Sequence, residues 1–169
     1  MSGTADAAAH EEVKRRAMDL LARREHSVKE LAEKLERRTD ADSSTVRSVV
    51  EDLADKDLVS DERFAAAYAR DAVRLNPKAS RRIVSELTRK GVPARVAAPA
   101  VESAFEEEEV DDRSLAFRLA ETYRGRLEDE PPATQWRRLA GYLQRRGFGG
   151  GLVYDVCEAL LPEAGEGGR

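Results

Sequence analysis

Arg82 and Arg89, and fifty-six positions further on Arg138 and Arg145, are the residues of this sequence best placed for recognition chemistry. Each pair is seven positions apart, so on a helix its two guanidinium groups stand about 10 Å apart along one flank. A guanidinium presents a planar fork of donors that fits a carboxylate or a phosphate. The chemistry implied is the gripping of anions on another macromolecule, with no bond made or broken. Both pairs lie in matching strings, "RRIVSELTRKGV" over residues 81–92 and "RRLAGYLQRRGF" over 137–148.

Helical geometry places these side chains. With Ile83 at zero, Leu87 falls at about 40° and Val84 at about 100°, which gives a buried stripe. Arg82 lies near about −100° and Arg89 near about −120°, while Arg81 is almost opposite the core. Arg138 and Arg145 take the same flank positions around Leu139, with Tyr142 between them at about −60°. Paired arginines on a helix are by default its solvated face. Two copies in one register point instead to a shared contact surface, although common ancestry of two repeats also produces a match. The candidate partner-binding residues are therefore Arg81, Arg82, Arg89, Lys90, Arg137, Arg138, Tyr142 and Arg145. Tyr142 fits packing and contact equally well.

These helices belong to a larger period. Leu31 with Leu35, Ile83 with Leu87, and Leu139 with Leu143 are i, i+4 pairs whose first members are 52 and 56 positions apart. A helical stretch precedes and follows each pair, so the expected fold is all-α, three tandem three-helix-bundle repeats in an elongated arrangement. The repeats are expected over residues 12–58, over 60–105 with its basic middle helix at 80–90, and over 111–162 with its basic middle helix at 134–147. Residues 1–11 and 163–169 read as disordered tails. In the first repeat Glu30 stands where the others carry the first flank arginine and Arg37 keeps the second, which suggests a different role for that repeat.

Local punctuation agrees. Ser27 with Glu30 has capping-box spacing. Gly91 and Gly147 follow the basic helices where a left-handed C-cap needs glycine. Pro93 suits a helix start, whereas Pro99 predicts a kink or an early stop. Phe64, Tyr68 and Leu75 share one stripe and read as core, as does Trp136 beside Leu139. Cys157, in "LVYDVCEALL", reads as a buried helical thiol.

Composition sets limits. The 169 residues include 29 basic and 33 acidic side chains and are only 5% aromatic, which suits thin amphipathic helical modules. The net charge of −4 conceals segregation. Residues 74–95 hold seven basic residues and one acid, and residues 106–112 hold six acids and no base. A basic block of this size can track phosphates or an acidic protein groove. No apolar run approaches the about 20 residues of a membrane span, and the N-terminus lacks a signal-peptide pattern. One cysteine fits a reducing, cytoplasmic setting. His10 and His26 stand apart with no metal-site pattern, so no metal and no cofactor are expected. No phosphate loop, nucleophile elbow or cysteine pair is present, so no catalytic residues are assigned and a binding protein is the better reading.

Three stretches, "LLARREHSVKELAEKL", "DLVSDERFAAAYARD" and "SRRIVSELTRKGV", in this order and spacing, resemble the RecX family of bacterial regulatory proteins. The resemblance covers about residues 15–105 closely and the third repeat more loosely. Its most specific part is "DERFA" followed by the arginine-rich helix that ends "KGV". Family members often carry Gly-Pro just before that helix, where this chain has Ala79-Ser80. The resemblance implies three tandem three-helix repeats and a partner, the RecA recombinase, bound in the groove of its filament on DNA. It also implies limitation of filament growth and of strand-exchange, ATPase and co-protease activity, with DNA reached through the filament. No membrane association and a monomer are expected. The alternative is a stand-alone DNA-binding helical module, against which stands the acidic pI of about 5.4.

Overall fold

The computed structural model describes residues 2–162, and all regular structure among them is helical. The helices are α1 (Ser2–Leu21), α2 (Val28–Arg38), α3 (Ser43–Asp55), α4 (Asp61–Leu75), α5 (Ser80–Arg89), α6 (Ala94–Glu107), α7 (Asp112–Arg124), α8 (Pro132–Arg145) and α9 (Gly150–Leu160). The chain forms two compact units. One contains residues 1–68 and 86–100, the other residues 69–85 and 101–169, so the division runs through α4, α5 and α6.

In the first unit α1, α2 and α3 pack on one another through Val13, Ala17, Leu20, Leu31, Leu35, Val46, Val49, Val50 and Leu53. The i, i+3 and i+4 spacing of these residues gives each helix a single apolar stripe, and burial of the stripes drives assembly. The second unit repeats the arrangement with α7, α8 and α9 around Leu115, Ala116, Ala120, Leu139, Leu143, Val153, Val156 and Cys157. Cys157 is fully buried, and burial pushes its thiol up to about 11.

Several expectations are corrected. The helix α1 begins at Ser2, where the sequence suggested a disordered tail over residues 1–11; Ala7, Ala8 and Ala9 are strong helix formers and extend it. Residues 163–169 lie outside the described residues. Pro99 does not stop α6, which continues to Glu107. Leu75 is the last residue of α4 and is 80% exposed, not core, whereas Phe64 on the same stripe is buried. Tyr68 is half-buried and its hydroxyl donates to Glu86 at 2.8 Å. Trp136 is also half-buried, edge-on to Tyr154 with ring centroids 5.6 Å apart.

The Ser27 cap is half of the expected box. Ser27 Oγ accepts the Glu30 N–H at 3.0 Å, but the Glu30 carboxylate turns to Arg24 at 2.6 Å and Lys34 at 3.2 Å. A complete capping box closes α7 instead, between Asp111 and Ser114.

Candidate partner-binding surface

The two basic helices are positioned by one local device used twice. Gly91, after α5, has φ +92° and Gly147, after α8, has φ +89°, the left-handed region that side chains resist. Both glycines also make room for a neighbour. A Cβ on Gly91 would stand 2.4 Å from Lys29 Cβ, and one on Gly147 would stand 2.6 Å from Arg82 Cβ. Next to each glycine, the preceding carbonyl receives a hydrogen bond from the start of an earlier helix. Ser27 Oγ donates to the Lys90 carbonyl at 2.6 Å, and the Ala79 N–H donates to the Arg146 carbonyl at 3.0 Å. An aspartate completes each junction. Asp61 accepts the Val28 N–H at 2.9 Å, and Asp112 accepts the Ser80 N–H at 2.8 Å and the Ser80 hydroxyl at 2.9 Å. Helix N-termini carry unsatisfied N–H groups and partial positive charge, so a carboxylate is the natural cap.

This framework decides what each candidate residue does. The guanidinium of Arg81 donates to the carbonyl oxygens of Gly147 and, at 3.2 Å, Phe148. It is thus a clamp on the turn after α8. Arg82 covers the same turn with its aliphatic stem. In the first unit Lys90 places its ammonium 5.5 Å from the Tyr68 ring centre, and Arg89 is exposed. Tyr142 is part of a stack. Its ring lies parallel to Tyr123, with centroids 4.0 Å apart and planes at 5°, and the Arg146 guanidinium sits 4.2 Å from its centre on α8's own C-terminal turn. Packing therefore occupies Arg81 and the ring of Tyr142.

Arg138 forms an ion pair with Glu130 at 2.6 Å. Glu130 belongs to the acidic, proline-rich loop before α8, a loop anchored by buried Leu127 and by Gln135 donating to the Glu130 carbonyl at 2.8 Å. Arg137 and Arg145 are exposed and make no ion pair or hydrogen bond among the described residues. Over residues 132–148 the sequence contains four arginines and no acid, so α8 presents a face of one sign.

The first repeat has the opposite character. Burial alone would raise the Glu30 carboxyl, but its hydrogen bonds and charge pairing with Arg24 and Lys34 win and lower it to about 2. The place that elsewhere holds a flank arginine is a closed ion-pair network here. The acidic segment 106–112 is likewise partly used: Glu108 pairs with Arg74 at 2.5 Å, Asp111 caps α7, and Asp112 caps α5.

Two features went unread in the sequence. The aspartate caps of the junctions reach across more than thirty positions, and no local pattern flags them. Gly141, in the middle of α8, was readable in principle, because glycine inside a helix costs about 1 kcal/mol relative to alanine and asks for a reason.

Comparison with known proteins agrees with this architecture. Models of the first, second and third three-helix domains of RecX match residues 14–53, 60–101 and 111–157. The regulatory protein RecX of Corynebacterium efficiens is 35% identical over 159 residues, covering 90% of this chain and 73% of that protein. The RecX of Halorhodospira halophila is 38% identical over 143 residues, covering 83% of each. The crystal structure of RecX from Lactobacillus salivarius superposes with a TM-score of 0.70 at 21% identity, over 91% of this chain and 97% of that one, a likeness of fold. With all three domain models matched in order and relatives aligned over most of their length, this chain belongs to the RecX family.

Proposed function

We propose that this protein regulates the RecA recombinase in the cytoplasm by lodging in the groove of the RecA–DNA filament and limiting its growth. Membership of the RecX family supports the partner. The observation that carries the mode of action is the exposed arginine face of α8, in a stretch, residues 132–148, that contains no acid of its own. Arginine rows can meet acidic protein surface, and DNA phosphate at the floor of a groove. Arg89 and the exposed head of Arg82 extend the same chemistry to α5. Inhibition of this kind needs no bond-making: a wedge between neighbouring subunits resists their rearrangement and blocks addition at an end.

The test is RecA ATP hydrolysis on single-stranded DNA with this protein added below one-to-one. The expected result is a fall in rate well before equivalence, lost when Arg82, Arg89, Arg138 and Arg145 are all replaced by alanine in a chain that still folds. No effect on hydrolysis, together with tight and strongly salt-dependent binding to bare DNA, would replace this reading with the DNA-binding module.

A further inference from the structure

Two glycines have the same use in this fold. Among the described glycines, a Cβ would collide with another helix's backbone-proximal atoms at Gly91 and Gly147, and in both cases the space holds the stem of a basic residue from elsewhere in the same unit. Gly125, Gly149, Gly150 and Gly151 face open surroundings. Gly141 is the exception. It sits inside α8, where glycine is costly, and the nearest foreign atom to its missing Cβ is the Nη1 of Arg145 at 3.1 Å, the far end of a flexible arm on the same helix. No neighbouring helix uses the room.

The surroundings of that room are polar and of one sign. The i±3 and i±4 neighbours of a helical residue share its face. For Gly141 they are Arg137, Arg138, Gln144 and Arg145, all exposed. Arg137 and Arg145 are about 12 Å apart along the axis and flank the glycine on either side. The result is a notch whose backbone floor lies under the movable end of Arg145, with a rim of guanidinium forks and one amide.

We propose that this notch is the point at which a carboxylate-bearing segment of the partner protein crosses α8, its backbone seated over Gly141 and its acids met by Arg137, Arg138 and Arg145. The inference rests on the filament reading above and names the residues and partner chemistry of that contact. A protein segment fits better than a nucleic-acid strand for two reasons. At Gly91 and Gly147, the two other glycines where an added Cβ would collide, the space receives a protein side-chain stem. The chain also carries a net −4 and a six-acid run over residues 106–112 in the same unit, which opposes a polyanion with one charge per about 1.7 Å more than it opposes a few discrete carboxylates. Arg138 meets the partner by exchanging Glu130, an exposed exchange of low cost.

Gly141→Ala and Gly141→Leu are the decisive variants, with Arg137→Ala/Arg145→Ala beside them. Binding is read on RecA filaments assembled on single-stranded DNA, and in parallel on the bare DNA. Alanine is the better helix former, so Gly141→Ala should raise the melting temperature by about 2 °C while weakening filament binding about tenfold. Gly141→Leu and the double arginine variant should lose filament binding by more, with binding to bare DNA unchanged. A variant that is more stable yet binds worse has no structural explanation, which separates a contact from a packing role. Filament binding at the wild-type level by a folded Gly141→Leu chain overturns the notch while leaving the filament reading in place. An equal loss on bare DNA assigns the face to phosphate instead, and a wild-type dimer in sedimentation that Gly141→Leu dissolves assigns it to a second copy; either overturns the proposal. A wild-type chain that leaves the filament untouched overturns the filament reading itself.

Discussion

Asp112 holds the first turn of a helix that ended twenty-three positions before it: its carboxylate accepts the Ser80 N–H at 2.8 Å and the Ser80 hydroxyl at 2.9 Å, thirty-two positions back in the chain. Asp61 does the same for Val28 at 2.9 Å. Each aspartate opens the first helix of one repeat and caps the middle helix of the repeat before it. The junction is thus written into a single carboxylate at the same place in the second and third repeats.

Replacing Asp112 with alanine leaves the start of α5 without its charged cap and should cost about 1–2 kcal/mol, the usual range for loss of an N-cap. Asp61→Ala should cost a similar amount at α2. Urea unfolding measures both, and a change within about 0.3 kcal/mol for either would mean that water satisfies these N–H groups equally well.

Gly147→Ala adds two penalties at once. The left-handed backbone at φ +89° costs about 1 kcal/mol or more for a residue with a Cβ, and the new Cβ would meet Arg82 Cβ at 2.6 Å, an atom fixed to the α5 backbone. The expected loss is about 2–4 kcal/mol, and Gly91→Ala should behave alike against Lys29. Thermal unfolding of the three alanine variants should therefore split by sign, down for Gly91 and Gly147 and up for Gly141. Three shifts in the same direction would contradict the argument.

Much of this fold is legible in the sequence because its determinants are local. The pairs Leu31 and Leu35, Ile83 and Leu87, and Leu139 and Leu143 are all fully buried, as helical periodicity requires. The glycines after α5 and α8 take the left-handed conformation that their positions predict. What the sequence hides is pairing at a distance. Nothing near Asp112 announces Ser80, and nothing near Tyr142 announces Tyr123, so the tyrosine stack was unreadable and Tyr142 fitted contact as well as packing. Leu75 misleads for a related reason: a periodic stripe records which face a residue takes, not whether anything covers that face at the helix end. For the candidate surface, register alone grouped Arg81 with its neighbours, whereas the turn carbonyls of Gly147 and Phe148 claim it. Arg137 and Arg145, by contrast, stay exposed on the face where their spacing puts them.

Acid should loosen the first unit in two successive windows. His26 is buried with Nδ1 2.9 Å from the Arg24 carbonyl oxygen and Nε2 3.0 Å from Lys34 Nζ, which fits a neutral ring donating to the first and accepting from the second. Burial, aided by the charges of Arg24 and Lys34, lowers its pKa below the ordinary 6.5 against the opposing pull of the Arg24 carbonyl and Glu30. The unfolded chain therefore takes up this proton first, so the contribution is complete above about pH 6.5 and declines as pH falls below it. Glu30, held at about 2 against an ordinary 4.5, contributes fully above 4.5 and loses its share as pH falls from there toward 2. Melting curves of wild type, His26→Gln and Glu30→Gln should show that the first substitution flattens the upper window and the second the lower. A wild-type and Glu30→Gln difference that stays constant from pH 6 to pH 3 would remove Glu30 from this role.

Tyr142 separates packing from contact by a single oxygen. Its ring is stacked on Tyr123 at 4.0 Å and covered by the Arg146 guanidinium at 4.2 Å, so the ring is structural. Tyr142→Ala removes both faces and should cost about 2–4 kcal/mol. Tyr142→Phe keeps the stack and the cation–π contact, and its stability should lie within about 0.5 kcal/mol of wild type. Under the proposed inhibition of RecA, and if Tyr142 serves the fold alone, Tyr142→Phe should slow RecA ATP hydrolysis as much as the wild-type chain, whereas Arg137→Ala/Arg145→Ala on the neighbouring face should not. Weaker inhibition by an equally stable Tyr142→Phe would place the phenol hydroxyl at the partner contact and widen the surface from the arginine rim onto the stack beside it.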